Sequence, residues 1–366
     1  MPTPDSPLPT PLPKHSDSEQ KTANQAQMLA NRLNKKLKHL KKWAKRLNFE
    51  AFRLYDRDIP EIPLVLDLYT DVISGALYKR PYEKDPAEEA LWLETMKKTL
   101  SQSAGIAPEN IIIKQRERQT GLAQYEKTAG KGLIREIREG KYKFKVNLSD
   151  YLDTGLFLDR RALRSMVGED ANGKRVLNLF CYTASFSVYA AGSGAISSDS
   201  VDLSNTYLAW ARENFALNGL EAKQLRMEEF LTTEDTEGGK NCRSQKGKGD
   251  SHLLIRADVN EFLESALAEG CRWDSIILDP PAFSNSKMSR ADFDLKRDYL
   301  SLLAKCLTLL SPQGKLWFSA SARSFRANAP ELEKALGVKA ADITDKIVDE
   351  DFRGKKAPKT FILSGG

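Results

Sequence analysis

A chain of 366 residues can bury a full core and is expected to form two domains. With 29% charged and 41% apolar residues, no apolar run of bilayer-spanning length and no apolar segment in its Pro- and Ser-rich N-terminus, it reads as cytoplasmic, with neither a membrane span nor a secretory signal expected. The net charge of +6 is local: residues 21–49 hold nine Lys and Arg and no Asp or Glu, so the remainder sums to −3, which points to one polyanion-binding face.

Residues 1–20, with prolines at positions 2, 4, 7, 9, 11 and 13, are expected to be a disordered tail. The spacing of Leu29, Leu33, Leu37, Leu40, Trp43 and Leu47 predicts a helix over 22–47 with one apolar stripe. Its other faces carry Arg32, Lys35, Lys36, Lys42 and Arg46, which suit RNA phosphate contact, a solvated surface or a membrane surface. RNA is favoured because of the motifs downstream. Residues up to 149 then read as a small α+β accessory region. Strands are predicted over 52–55 and 64–78, a helix over 86–103 with Leu91, Trp92, Met96 and Leu100 inward, and strands over 111–114 and 141–146. Arg116 and Arg118, in a charged run after the third of these strands, are further RNA-contact candidates.

From residue 150 to the end, strands and helices alternate, the pattern of a doubly wound parallel sheet, so the fold class is α/β and Rossmann-like. Strands are predicted over 176–180, 196–201, 253–256, 275–278, 315–319 and 359–364, with helices between the first five. The polar stretch 232–252 interrupts the pattern and reads as a mobile insertion. Cys181, Cys242, Cys271 and Cys306 lack metal-ligand spacing and read as reduced thiols. Three histidines leave little room for a His-based metal site or a Ser-His triad, and no metal is expected.

Carboxylates close three successive strands. Asp202, followed by Leu203 and Ser204, can accept the ribose hydroxyls of a nucleoside. Asp and Ser are also favoured helix caps, and Ser204 can fill that role. Asp258 can accept from an adenine amino group or cap the next helix. Asp279-Pro280-Pro281-Ala282-Phe283 follows a buried apolar strand. Its prolines fix the backbone and withhold two N–H donors. A carboxylate, carbonyls and an aromatic face are left where open α/β sheets bind ligands. A nucleobase can stack on Phe283 and hydrogen-bond to Asp279, although a plain Pro-Pro turn would read the same. The loop through Asn178, Phe180, Tyr182, Thr183, Ala184 and Ser185 lies between the first strand and its helix. It lacks Gly-x-Gly-x-x-Gly, which argues against a dinucleotide, while a helix N-terminus there can face a carboxylate. S-adenosylmethionine satisfies both conditions.

Longer strings carry a resemblance. Residues 150–159 (DYLDTGLFLD), 178–183 (NLFCYT), 201–208 (VDLSNTYL), 214–219 (NFALNG) and 279–287 (DPPAFSNSK) resemble the C-terminal half of the bacterial 23S rRNA methyltransferase K/L family. Residues 30–33, 55–60 and 114–119 agree with it too, so the likeness runs from about residue 28 to the end. It implies a class I methyltransferase fold, S-adenosylmethionine as cofactor, and methylation of guanine N7 in 23S rRNA or a large-subunit precursor. It also places Thr154, Phe157 and Asp159 in the cofactor pocket. The family's fused L module makes N2-methylguanine and carries an RNA-binding domain; neither is visible here, so an L-type module is a possible partner. Ala184 stands where the family more often has Gly.

Three rival readings stay open. A 5-methylcytosine enzyme needs a cysteine nucleophile, and the stretch Phe318-Ser319-Ala320-Ser321, where related enzymes carry it, has none. Guanine-N2 methylation would suit the Asp-Pro-Pro-x-aromatic loop equally. A non-catalytic RNA-binding assembly factor would need no intact carboxylate series.

Overall fold

The computed structural model describes residues 15–80, 82, 84–116, 132–231, 251–284, 292–322 and 325–365. Arg118 and most of the 232–252 segment lie outside them. The chain divides into two compact units: Met1–Trp43 with Phe52–Glu117, and Ala44–Ala51 with Arg118–Gly366.

The first unit contains most of α1 (His15–Leu47), which begins inside the expected tail, two residues after its last proline. The stripe is as the spacing predicts at Leu29, Leu33, Leu37, Leu40 and Trp43, which are buried, whereas Leu47 at the helix end is exposed, contrary to expectation. Strands β1 (Ala51–Asp56), β2 (Leu64–Tyr69), β3 (Val72–Tyr78) and β4 (Ile111–Arg116) form a sheet in that order. The apolar run 64–78 is thus two antiparallel strands, and the turn between them has no Gly or Asn to announce it. Helix α2 (Pro86–Ala104) starts at Asp85, whose carboxylate accepts the N–H groups of Ala87 and Glu88. Trp92, Met96 and Leu100 face inward, but Leu91 is 59% exposed, contrary to expectation.

In the second unit, β5 (Ile134–Glu139) and β6 (Tyr142–Asn147) form a hairpin. The sequence pattern groups this stretch with the accessory region instead. Then follow α3 (Arg161–Asp170), β7 (Arg175–Leu179), α4 (Ser185–Ala191), β8 (Ser197–Asp202), α5 (Asn205–Leu217), β9 (Ala222–Arg226), α6 (Met227–Leu231) and β10 (Ser251–Arg256). After these come α7 (Val259–Ala268), β11 (Trp273–Leu278), the short β12 (Phe283–Ser284) and β13 (Phe293–Asp294), and α8 (Leu295–Thr308). The chain closes with β14 (Leu310–Ala320), α9 (Ala329–Leu336), β15 (Lys339–Asp342) and β16 (Lys359–Ser364).

One eight-stranded sheet runs β15-β16-β14-β11-β7-β8-β10-β9. All pairs from β14 to β9 are parallel, and β16 is antiparallel to both neighbours. Side chains alternate across this sheet. Leu177, Leu179, Ile276, Leu278, Leu316 and Phe318 pack with α7 and α8, whereas Val176, Ile277 and Trp317 pack with α3 and α4. The chain winds one way from β7 to β8 and returns to place β11 on the other side of β7. That reversal opens a crevice at the strands' C-terminal ends. Among the described cysteines, Cys181 and Cys306 are free and buried. Cys271 is disulfide-bonded, a departure from the expected reduced thiols. No described helix is long and apolar enough to cross a membrane.

Candidate active site

The loop from β7 to α4 is built from strained backbone. Phe180, Tyr182 and Ala184 all have left-handed φ angles, 55°, 54° and 56°. Each costs about 1–2 kcal/mol for a residue with a Cβ. The strain is held by bonds to β8 and within the loop: Cys181 N–H donates to the Val201 carbonyl (3.0 Å), and Ala184 N–H to the Cys181 carbonyl (2.8 Å). Tyr182 N–H donates to Asp202 Oδ2 and Ser204 N–H to Asp202 Oδ1, each at 2.9 Å. Alternating left-handed residues fold the loop into a tight cradle, in which the N–H groups of Cys181, Tyr182 and Ala184 are already engaged. Ser204 caps α5, as expected, and Asp202 ties the cradle to the end of β8. Burial pushes the Asp202 carboxyl up to about 6, against the backbone N–H groups that lower it. The left-handed φ at Ala184 explains why glycine suits that position.

Asn178 is buried and donates to Ser187 Oγ (2.9 Å), so it braces the loop from beneath. Thr183 is also buried; its Oγ1 donates to the Gly155 carbonyl (2.6 Å) and its carbonyl accepts from Asn214 (2.9 Å). The first of these bonds joins the 154–159 segment to the cradle. Gly155 lies flat against Trp210: a Cβ there would sit 2.2 Å from Trp210 Cζ2. Thr154 is half-buried, with Oγ1 at 3.4 Å from the Leu156 carbonyl. Phe157 is 44% exposed and its ring lies 5.3 Å from that of Tyr182. Ser185 opens α4, and Leu203, like Ser185, is half-buried. Helix α4, at whose N-terminus the sequence suggests a carboxylate could sit, has only seven residues.

At β10 the capping alternative holds: Asp258 Oδ1 accepts the N–H groups of Asn260 (2.9 Å) and Glu261 (3.3 Å) and starts α7. After β11, Asp279 is held by a residue that the sequence does not single out. Arg160 Nε donates to Asp279 Oδ2 (2.8 Å) and Arg160 Nη2 to Oδ1 (3.0 Å). Nη1 also donates to Asp159 Oδ2 (3.1 Å), and Nη2 to Ser321 Oγ. Arg160 is only 2% exposed. Burial opposes its charge, but Asp279 and Asp159 outweigh that and raise its pKa. Asp279 lies 119 residues from Arg160, so no local pattern signals the pairing. Pro280 is buried, Pro281 half-buried, and Phe283 is 46% exposed at the crevice.

The expected cationic residues lie in the first unit, apart from Arg46 and Arg118, which belong to the second. Lys35, Lys42 and Arg46 are exposed on α1, whereas Arg32 (2.8 Å) and Lys36 (3.0 Å) are paired with Asp58. Arg116 is exposed and lies over the Tyr78 ring at 5.6 Å. Among the described residues no cluster of His, Cys, Asp and Glu could hold a metal ion.

The family model for S-adenosylmethionine-dependent methyltransferases matches residues 53–244. Ribosomal RNA large subunit methyltransferase K of Neisseria meningitidis serogroup B is 46% identical, covering 91% of this chain and 86% of that protein. Ribosomal RNA large subunit methyltransferase K/L of Pseudomonas fluorescens is 41% identical across 94% of this chain, which spans only 41% of that protein's length. Among solved structures, a methyltransferase complexed with SAH superposes with a TM-score of 0.65 at 23% identity, covering 92% of this chain and 81% of that one. An Agrobacterium tumefaciens SAM-dependent methyltransferase gives 0.52 at 18%, covering 86% and 89%. These two show the fold. The chain therefore belongs to the S-adenosylmethionine-dependent methyltransferase enzymes, in the group that includes ribosomal RNA large subunit methyltransferase K.

Proposed function

We propose that this chain methylates N7 of a guanine in 23S rRNA or a large-subunit precursor, in the cytoplasm. The observation that carries the reading is the convergence of the strained cradle, Asp202 and the Asp279–Phe283 loop on one crevice, in a chain 46% identical to a protein named methyltransferase K. The residues fit the cofactor. Asp202 has lone pairs left on both oxygens for ribose hydroxyls. The loop from Phe180 to Ser185, with Thr154, Phe157, Asp159 and Leu203, lines the proposed pocket beside Asp202, and Asp258, whose Oδ1 caps α7, stands at the next strand end.

When bound, S-adenosylmethionine supplies an electrophilic methyl group. Guanine N7 has a free lone pair, so this protein's residues need align the base but need not deprotonate it. Phe283 stacks on the base, and the carbonyls of the two-proline segment face its edge. Asp279 has both oxygens engaged by Arg160, which suits an anchor better than a base and weighs against guanine-N2 transfer, where the amino group must lose a proton. A 5-methylcytosine reaction lacks its nucleophile among the described residues: Cys181 and Cys306 are buried and free, and burial pushes both thiols up, away from the reactive thiolate. RNA phosphates are drawn to the exposed lysines and arginines of α1 and to Arg116; Arg118 joins that set on sequence grounds. An L-type module is a further proposed partner, because the K/L relatives extend well beyond this chain.

The test is incubation with labelled S-adenosylmethionine and unmodified 23S rRNA, followed by nucleoside analysis and borohydride–aniline cleavage mapping. Label in 7-methylguanine at one position supports the proposal. Label in N2-methylguanine or 5-methylcytosine overturns the target, and failure to bind the cofactor overturns the enzyme reading.

A further inference from the structure

Three segments distant in sequence meet on the Arg160 guanidinium: the 154–159 loop through its last residue Asp159, Asp279 after β11, and Ser321 just past β14. The fork geometry of arginine fixes Asp279 in two directions at once, which a lysine cannot do. Asp159 and Ser321 are more exposed than the guanidinium between them, so the pairing is rigid at its centre and reaches the crevice at its rim. Any shift of the 154–159 segment is thereby passed to the Asp279–Phe283 loop through a single side chain. The same segment is tied on its other side to the cradle by the Thr183–Gly155 bond.

We propose that Arg160 is a positioning residue that couples the cofactor loop to the base-binding loop, so that filling the first sets the geometry of the second. The inference rests on the assignment of those two loops made under Proposed function. Arg160 touches neither ligand; it acts through Asp279.

The experiment uses the full chain, SAH as cofactor probe and 23S rRNA as RNA probe. RNA affinity is measured with and without SAH, alongside turnover and thermal melting, for wild type, Arg160→Lys, Ser321→Ala and the double variant Arg160→Lys with Asp279→Asn. In wild type, SAH should tighten RNA binding by about five-fold or more, the usual scale of coupling between sites. Arg160→Lys keeps the charge and loses the fork. It should lower kcat by about 100-fold, the cost of a misplacement near 1 Å. Its coupling factor should fall towards one while each ligand alone binds nearly as before. Adding Asp279→Asn should cost little more, because residues acting as a unit are not additive. Ser321→Ala leaves the buried ion pair intact and should move kcat and coupling the same way by a smaller factor, which keeps the test open if Arg160→Lys folds poorly.

Wild-type kcat and coupling in a cooperatively melting Arg160→Lys protein would overturn the inference, as would a wild type whose RNA affinity ignores SAH. A wild type that binds no SAH would bring down the proposed function as well, and the two failures are thus distinguished.

Discussion

Gly155→Ala tests the packing that seats the cofactor loop. Gly155 has a φ of +96° and its missing Cβ would lie 2.2, 2.6 and 2.9 Å from three atoms of the Trp210 indole. That indole is buried and anchored by its Nε1–H on the Lys145 carbonyl at 2.9 Å, so it cannot swing aside cheaply. Overpacking costs about 1–3 kcal/mol, and the positive φ adds about 1–2 kcal/mol for a residue with a Cβ. Taking about 3 kcal/mol in all, the melting temperature should fall by about 6–12 °C in a domain of this size. Gly219→Ala is the control: its φ is +68° with no atom within 4 Å of the added Cβ, so only the backbone part of the cost applies. Thermal melting followed by tryptophan fluorescence reads the stability. SAH titration calorimetry reads the consequence for the loop, whose Gly155 carbonyl accepts from Thr183. SAH affinity should drop with Gly155→Ala and hold with Gly219→Ala. Equal melting temperatures for the two variants would refute the close-packing argument, and unchanged SAH affinity in Gly155→Ala would refute the loop's place in the cofactor pocket.

Asp202 has a folded-state pKa raised to about 6, so its anion costs stability above that pH and the cost is relieved as pH falls through 6. Ribose hydroxyls need the anion as acceptor; cofactor affinity should be flat above pH 7 and weaken towards tenfold per unit well below 6, and a flat profile from pH 5 to 8 would remove Asp202 from the site. Phe283→Ala should slow methylation about 5- to 100-fold if the ring stacks on the base, with SAH binding near wild type; unchanged turnover rejects the stacking role. Replacing the exposed Lys35, Lys42 and Arg46 by Gln should reduce the salt dependence of RNA binding, by roughly 0.7–0.9 in the log–log slope for each phosphate no longer neutralised. The same change at Arg32 and Lys36, already paired with Asp58, should have less effect, and equal slopes in all variants would place the RNA elsewhere.

The α1 stripe, the alternation of strands and helices, the Asp202-Leu203-Ser204 turn and the two-proline loop were legible because each is a local pattern. Apolar spacing and turn chemistry act over a few residues, so the chain reports them directly. Strands β9 and β15 were not legible: both lie at sheet edges, and sequences such as Ala222–Arg226 show too little apolar alternation to stand out. Helix α3 was hidden because Arg161 and Arg164 are buried on it, paired across long sequence distances with Asp351 and Glu139. The left-handed run at Phe180, Tyr182 and Ala184 carries no glycine, so its strain is invisible until the bonds to β8 that hold it are seen. The capping role at Asp258 was likewise one of two readings open in the chain, and its bonds to Asn260 and Glu261 show that cap. By itself, then, the sequence determined the alternation of the central strands and helices and the chemistry offered at the ends of β8, β10 and β11. Only the tertiary structure decided which charges meet, above all Arg160 with Asp279, because a buried ion pair between residues 119 positions apart is set by packing and leaves no trace in local spacing.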